Sequence, residues 1–145
     1  MKDYVYFSIE NENTNINFTA TYYVTNSEYD DEKKLYCEIP TNNLACYYNF
    51  NDKNEWGSVE DTISTTDIAK FSQLFDDLLN NKINEFDFET ECHLFCCTAK
   101  HAGTDYLIDF KINDGLEDSW VQVVKEGLTH ADIAAMANVR QLRLF

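Results

Sequence analysis

The chain contains little glycine and almost no proline: four glycines and one proline among 145 residues. This scarcity excludes collagen-like and low-complexity architectures, and it leaves too few glycines for a loop that cradles nucleotide phosphates. No apolar run approaches the roughly 18 residues of a membrane helix, and the first residues lack the apolar stretch of a signal peptide. The sequence therefore predicts a single domain, residues 1–145, with a cytoplasmic location and no membrane partner.

Basic residues are also scarce, with 11 Lys and Arg against 26 Asp and Glu and a formal net charge of −15. A field of this sign repels phosphate backbones and anionic lipid surfaces, so it predicts no direct contact with nucleic acid or membrane. It attracts basic proteins, and a basic protein is the predicted partner. Aromatic residues make up 14% of the chain, which excludes an acidic disordered protein.

The five cysteines form an odd number, and without an export signal they are interpreted as reduced thiols. Cys92, His93, Cys96, Cys97 and His101 lie close together in sequence and raise the question of zinc. On a strand, however, Cys92 and Cys96 face away from His93 and Cys97, and one tetrahedral ion does not easily gather ligands from both faces. Whether this cluster ever binds metal stays open, but the favoured interpretation is structural, with no metal and no cofactor.

The residues of the sequence also provide no convincing candidate for a catalytic group. A reactive thiolate needs a positive neighbour or a helix N-terminus, and no cysteine lies at a predicted helix start. Asp87 and Glu89 share one face of a strand, as a pair of acid and base carboxylates would, but a solvated sheet face is the simpler interpretation. The sequence therefore predicts no catalytic residue and a protein that is not an enzyme.

Period-two alternation dominates the secondary-structure pattern. Residues 4–9 and 16–24 predict a hairpin, and two further strands are expected at 35–39 and 44–50 with a hinge near Pro40. An amphipathic helix follows, capped by Thr65 or Thr66 and ended by Asn80 and Asn81. Later strands are predicted at 85–89, 91–99, 104–113 and 119–125.

A second helix is predicted to start at Thr129, where Thr129 and Asp132 have the spacing of a capping box, and to continue as far as Leu142. Arg140 and Arg143 then fall near its C-terminal end. Asp-Ile-Ala occurs at 67–69 and again at 132–134, each time at a helix start. The fold class is α+β: antiparallel β-meanders with two amphipathic helices packed on the sheet, and two β-meander-plus-helix halves (1–81 and 82–145) remain one possibility.

Two acidic segments provide the predicted partner-binding residues. Each groups carboxylates beside an apolar or aromatic residue, a combination that suits an anchor surrounded by steering charges. An ordinary solvated loop is the alternative interpretation of both segments. The predicted residues are Glu28, Tyr29, Asp30 and Asp31 in the first segment and Asp114, Glu117 and Asp118 in the second.

The chain from about residue 63 to residue 142 resembles the small immunity proteins of bacterial polymorphic-toxin systems, in particular the WapI-like group. The features concerned are the helix pattern from Thr65 to Leu79, a Phe-x-Phe strand at Phe86 and Phe88, the strand at residues 106–110, a tryptophan strand, and a final helix at residues 128–142. The resemblance implies a cytoplasmic inhibitor that binds one cognate toxin and covers its active site.

Together, charge and resemblance predict a non-catalytic acidic immunity protein, with a basic nuclease toxin as the suggested partner. The alternative is an acidic nucleic-acid mimic, such as a phage inhibitor of host defence. An enzyme or ligand-binding protein built around a pocket is a third possibility. Strand order and oligomeric state are left open.

Overall fold

A computed structural model describes residues 2–91, 93–113, 120–137 and 140–143 of the chain. Within them, strands form two antiparallel sheets and helices are few, so the predicted α+β class with antiparallel sheets is confirmed. The elements in chain order are β1 (Lys2–Glu10), β2 (Thr14–Asp30), β3 (Leu35–Asp52), β4 (Glu55–Ser64), α1 (Thr65–Leu79), β5 (Glu85–Glu89), β6 (Phe95–Ala102), β7 (Asp105–Asn113), β8 (Trp120–Leu128), α2 (His130–Ala137) and β9 (Arg140–Arg143).

The first sheet has the strand order β4-β3-β2-β1-β9, and the second sheet has the order β5-β6-β7-β8. Each sheet is built from four strands that are consecutive in the chain and are followed by one helix. The last strand, β9, returns to the first sheet and pairs with β1, so that Arg140 lies opposite Val5. A duplication of sequence between the two halves stays a prediction.

The core lies between the facing sides of the two sheets. Phe95 of β6 is 2% exposed and lies at its centre. Its ring contacts Phe18 and Tyr48 of the first sheet at centroid distances of 5.9 and 6.1 Å, and Phe110 of the second at 5.2 Å. On α1, Phe71 approaches the ring of Phe95 at 5.3 Å. Both sheets therefore share one aromatic core, and a ring of α1 contacts it.

The start of α1 is fixed by a cap one residue earlier than the sequence predicts. The hydroxyl of Ser64 accepts a hydrogen bond from the Asp67 backbone N–H at 3.0 Å, whereas Thr65 already belongs to the helix. The buried side chain of Asp67 makes a separate contact, because its carboxylate accepts a hydrogen bond from the backbone N–H of Glu91 at 3.1 Å. This residue therefore joins the helix N-terminus to the turn after β5, in the first helical turn where a negative charge is favourable.

The first half of the structure differs from the prediction in two places. β3 continues through Pro40 as one strand, because Pro40 pairs with Thr25 on one side and has no partner strand on the other. Such an edge position is where sheets tolerate proline. β4 (Glu55–Ser64) was not predicted, since its exposed residues do not alternate cleanly with its few buried ones.

The predicted second helix is shorter than expected. The capping box is confirmed: the Thr129 hydroxyl accepts from the Asp132 N–H at 3.2 Å, and the Asp132 carboxylate accepts from the Thr129 N–H at 2.9 Å. The helix ends at Ala137, and Arg140 and Arg143 lie in β9 rather than on a helix. A short segment with mixed helical and strand character takes the strand form here because β1 offers it an edge to pair with.

The β5–β6 connection also differs, since β6 begins at Phe95 rather than near Glu91. The buried Thr90 hydroxyl accepts hydrogen bonds from the backbone N–H groups of Leu94 at 2.8 Å and Phe95 at 3.5 Å. His93, at φ 56°, completes a tight turn. These bonds satisfy backbone groups that a longer strand would have paired in the sheet.

Candidate ligand-binding face

The outer surface of the first sheet is the most distinctive polar surface in the described part of the chain. Along β2 and β3, residues such as Ile16, Phe18 and Tyr48 are buried against the second sheet. Because side chains alternate along a strand, the residues between them point to solvent. We call the outward-facing side chains at this end of the sheet the amide face: Ser8, Glu10, Asn15, Asn17, Asn49, Asn51, Trp56 and Ser58.

The register of the four strands arranges the amide face in two rows. One row runs Glu10, Asn15, Asn51, Trp56 across β1, β2, β3 and β4, and the other runs from Ser8 to Ser58. With neighbouring strands about 4.8 Å apart, each row is about 14 Å long. The face is therefore long enough for an extended ligand that crosses the strands.

Hydrogen bonds fix the orientation of several of these side chains. The Ser8 hydroxyl donates to the Asn17 amide oxygen at 2.8 Å, the Asn17 amide nitrogen donates to the Asn15 oxygen at 2.9 Å, and the Asn15 nitrogen donates to the Glu10 carboxylate at 3.0 Å. The series thus leaves β1 at Ser8, runs along β2 from Asn17 to Asn15, and returns to β1 at the Glu10 carboxylate. Such a preordered series limits the conformational entropy that a ligand would have to remove on binding.

Trp56 lies at the end of its row and is 81% exposed. It follows a tight turn in which Lys53 and Asn54 both have positive φ, at 52° and 71°, as a type I′ hairpin turn requires. The edge strand β4 thus begins with a large aromatic ring held at the margin of the sheet and in contact with solvent. Trp56 therefore offers a flat aromatic surface to solvent next to the polar side chains of the amide face.

A pocket of about 500 Å³ opens at this end of the sheet, and its lining includes Glu10, Asn15, Asn51 and Trp56. Among the described residues, the side-chain oxygen of Asn51 is buried and has no hydrogen-bond partner. An unsatisfied buried acceptor costs about 1–3 kcal/mol, a cost that a donor from a ligand removes. Asn51 therefore has an unpaired acceptor that a rotation of its side chain would turn toward the pocket it lines.

The charge of the amide face differs from that of the whole protein. The chain carries a formal net charge of −15. The four asparagines of the amide face nevertheless place uncharged amides at its centre. Glu10 lies at one margin, and Lys53 lines the pocket at one end. Amides both donate and accept hydrogen bonds, so this arrangement suits a ligand that is uncharged and rich in groups that do the same.

The residues predicted from the acidic segments lie elsewhere. Glu28, Tyr29, Asp30 and Asp31 lie at the turn of the β2–β3 hairpin, whereas the pocket lies at the opposite end of these two strands. The Asp30 carboxylate accepts from the backbone N–H groups of Glu32 and Lys33 at 2.9 and 3.1 Å, which gives it a role in the turn. Asp114, Glu117 and Asp118 lie outside the described residues.

The cysteine and histidine candidates show no arrangement for metal or nucleophilic chemistry. In the described part of the chain, no group of three or more His, Cys, Asp and Glu side chains is placed to hold a metal ion. Burial raises the pKa of Cys97 well above its usual value, and burial followed by the Glu89 carboxylate raises the pKa of Cys96. Both shifts oppose formation of a thiolate. Cys92 lies outside the described residues.

Sequence reasoning missed the amide face, although one signal was present. Asparagine occurs at every second position from Asn11 to Asn17 and again at Asn49 and Asn51, which places these amides on one side of each strand. The pattern becomes a surface only when the register sets Asn15 beside Asn51. Trp56 had no such signal, because β4 was not predicted as a strand.

Comparisons with known proteins give two partial structural likenesses. No family model and no curated protein matches this chain, so they do not test the resemblance to the WapI-like group. The plant transcriptional regulator PBF-2 superposes with a TM-score of 0.42 at 8% identity, over 92% of this chain and 76% of that chain. WHY1 from Arabidopsis thaliana superposes with a TM-score of 0.41 at 10% identity, over 92% of this chain and 84% of that chain.

These findings correct the predicted function and partner. Neither solved protein is named as a toxin inhibitor, and one is named as a transcriptional regulator. The prediction of an immunity protein or acidic mimic is therefore wrong, and so are the basic toxin partner and the exclusion of direct nucleic-acid contact. The error came from treating net charge as a guide to the binding surface, because the amide face carries mainly uncharged side chains although the chain as a whole is acidic.

Proposed function

We propose that this chain is a non-catalytic carbohydrate-binding protein, and that the amide face is its glycan-binding surface. The observation that carries the proposal is the row Glu10, Asn15, Asn51, Trp56, which joins a carboxylate, two amides and an exposed indole ring in one line. Sugar hydroxyls donate and accept hydrogen bonds, and asparagine side chains offer both partners. The apolar C–H face of a sugar ring stacks on an aromatic plane such as that of Trp56.

The ligand expected from this surface is a neutral oligosaccharide rather than a single sugar. The row is about 14 Å long, and its four side chains belong to four different strands. The Asn51 side chain, whose oxygen is unpaired, would turn toward the pocket and accept from a sugar hydroxyl, while the Glu10 carboxylate would accept from a hydroxyl at the other end. Anionic sugars are disfavoured because the Glu10 carboxylate belongs to the row itself and repels a negative charge beside it.

The remaining features of the proposal are consistent with this role. The chain is proposed not to be an enzyme and to be cytoplasmic, and the free thiols of Cys37, Cys96 and Cys97 are consistent with a reducing compartment. In the described residues no helix is long and apolar enough to span a membrane. We also propose that the architecture comprises two β-meander-plus-helix halves whose helices pack on the sheets.

The test is a binding screen followed by variants. The protein is titrated with neutral glucan, xylan and chitin oligosaccharides, with sulfated and sialylated glycans, and with an oligothymidine single strand. A Trp120→Phe background leaves Trp56 as the reporting indole, so a change in its fluorescence locates the ligand. Trp56→Ala is expected to weaken binding of a neutral glycan at least about tenfold, which corresponds to about 1.4 kcal/mol.

Two further variants separate a binding role from a structural one. Val124→Ala removes an exposed apolar side chain on the second sheet, 45% accessible and outside both the amide face and the β2–β3 hairpin, and should leave affinity unchanged. Asn51→Ala removes the unpaired acceptor, so it should weaken binding while thermal stability is unchanged or higher. Binding of the oligothymidine but of no glycan would replace this proposal with nucleic-acid recognition, and glycan binding unaffected by Trp56→Ala would place the ligand elsewhere.

A further inference from the structure

The β2–β3 hairpin extends well beyond the first sheet as a two-stranded ribbon, which we define as residues 25–40. β1 pairs with β2 only as far as Ala20, and β4 pairs with β3 only as far as Asn43. From Thr25 opposite Pro40 to Asp30 opposite Leu35, the two strands pair only with each other. Both outer edges of the ribbon therefore carry backbone N–H and C=O groups without a strand partner in the described chain.

The base of the ribbon has a defined structure. The β2–β3 register shifts twice, between Ala20 and Tyr22 and between Tyr23 and Thr25. The Thr41 hydroxyl donates to the backbone oxygen of Val24 at 2.8 Å. Bulges of this kind increase twist and redirect a strand, so the ribbon leaves the sheet at a fixed and supported position.

The ribbon exposes several large apolar side chains. It holds four of the eight large hydrophobic side chains that are exposed in the described residues: Tyr29, Leu35, Tyr36 and Ile39, between 41% and 72% accessible. A two-stranded hairpin is marginally stable in water by itself, and an exposed apolar edge is a template for pairing with another chain. The ribbon thus has the properties of an interaction element.

The two edges of the ribbon differ in charge, and this difference indicates which edge is better suited to pair with another strand. The β2 edge carries Glu28 and Asp30 and continues into the acidic residues Asp31 and Glu32, whereas between Leu35 and Pro40 the β3 edge carries only Glu38. The β3 edge also adjoins the lysines of the turn. Like charges opposite one another destabilise a strand pair, so the β3 edge is the better surface for pairing with an identical strand.

We propose that the protein self-associates by antiparallel pairing of the β3 edges of two ribbons, about a two-fold axis at Cys37. In this register Leu35 lies opposite Ile39 of the partner subunit, so apolar side chains meet. Lys34 lies diagonally from Glu38 of the partner subunit, within reach of a long side chain, and the two-fold axis repeats this ion pair. Pro40 has no N–H to donate, which ends the pairing before it reaches the sheet.

Salt dependence provides a characteristic signature of this dimer. Two chains of formal charge −15 repel one another, and salt screens that repulsion. The dimer should therefore become tighter as ionic strength rises. A partner held by opposite net charge would show the reverse dependence.

The test measures oligomeric state and the proximity of Cys37 to its counterpart. Sedimentation of the full chain over a concentration series, at low and high salt, should show a monomer–dimer equilibrium that shifts to dimer with salt. Opposed residues in antiparallel strands have Cα atoms about 4.5–5.5 Å apart, within the range a disulfide spans. Mild oxidation with diamide should therefore join Cys37 to Cys37, and Cys37→Ser should abolish this cross-link.

A matched pair of variants completes the experiment. Ile39→Lys places a charge on the proposed seam and should raise the dimer dissociation constant at least about tenfold, whereas Val124→Lys introduces the same charge at an equally exposed aliphatic residue on the second sheet and should not. Backbone amides of residues 35–39 should also gain protection from hydrogen exchange as concentration rises. A protein that stays monomeric at every salt concentration, or whose cross-link forms through Cys96 instead, overturns the proposal.

Discussion

Replacement of Phe95 by alanine removes the ring on which the two sheets and α1 converge. Phe95 is 2% exposed and contacts the rings of Phe18, Tyr48, Phe71, Phe88 and Phe110 at centroid distances between 5.2 and 6.1 Å. Buried phenylalanine-to-alanine substitutions typically cost about 3–5 kcal/mol. With five aromatic neighbours the expected loss lies at the upper end, about 4–5 kcal/mol, against a total stability of about 5–15 kcal/mol for a domain.

Urea unfolding followed by circular dichroism measures this loss. Because Phe95 contacts rings of both sheets, the denaturant midpoint should fall while unfolding remains one transition with an unchanged dependence on denaturant. Val124→Ala is the control, since Val124 is an exposed residue of the second sheet, 45% accessible, and surface substitutions usually change stability by less than about 0.5 kcal/mol. A loss below about 1.5 kcal/mol, or two separate transitions, would refute the shared core.

Two further predictions concern polar groups that terminate or connect elements. Thr90→Val keeps the shape of the side chain but leaves the Leu94 N–H without its acceptor, so it should cost about 1–3 kcal/mol in the same urea assay; a neutral result would show that the turn re-forms its bonds. The Thr129 N–H and then its hydroxyl lower the pKa of Asp132, so an NMR titration should give a midpoint below 3.8. The stabilisation by Asp132 is present above that ordinary value and is lost as pH falls through the folded pKa; an unshifted midpoint would contradict the capping bond.

The parts of the fold that the sequence predicts are those with strong periodicity. β2, β7 and α1 each alternate or repeat apolar residues over many positions, and a local pattern of that length defines an element without tertiary information. β4 and β9 carry no such pattern. Each becomes a strand because a neighbouring strand offers it hydrogen bonds: β3 for β4, and β1 for β9.

The candidate site was harder to predict because it depends on register. Asn15 and Asn51 are 36 positions apart in the sequence and become neighbours only through the pairing of β2 with β3. A shift of one residue in that pairing would turn these amides toward the core. The acidic segments were conspicuous in the sequence because their residues are contiguous, but contiguity in sequence is a poor guide to a surface assembled from four strands.

The same two strands carry both proposed surfaces, and their length explains how one hairpin serves two purposes. At one end of β2 and β3, residues flanked by β1 and β4 form a broad sheet whose outer side is the amide face. Beyond the bulges at residues 20–25, the strands lose those neighbours and expose their edges. Pairing through the ribbons would leave the amide faces of both copies uncovered, because the pocket and the ribbon lie at opposite ends of the strands. If both proposals hold, two linked faces would bind one repeating polymer at a raised effective concentration, and a dimer should then bind a long neutral glycan more tightly than a short oligosaccharide that reaches only one face.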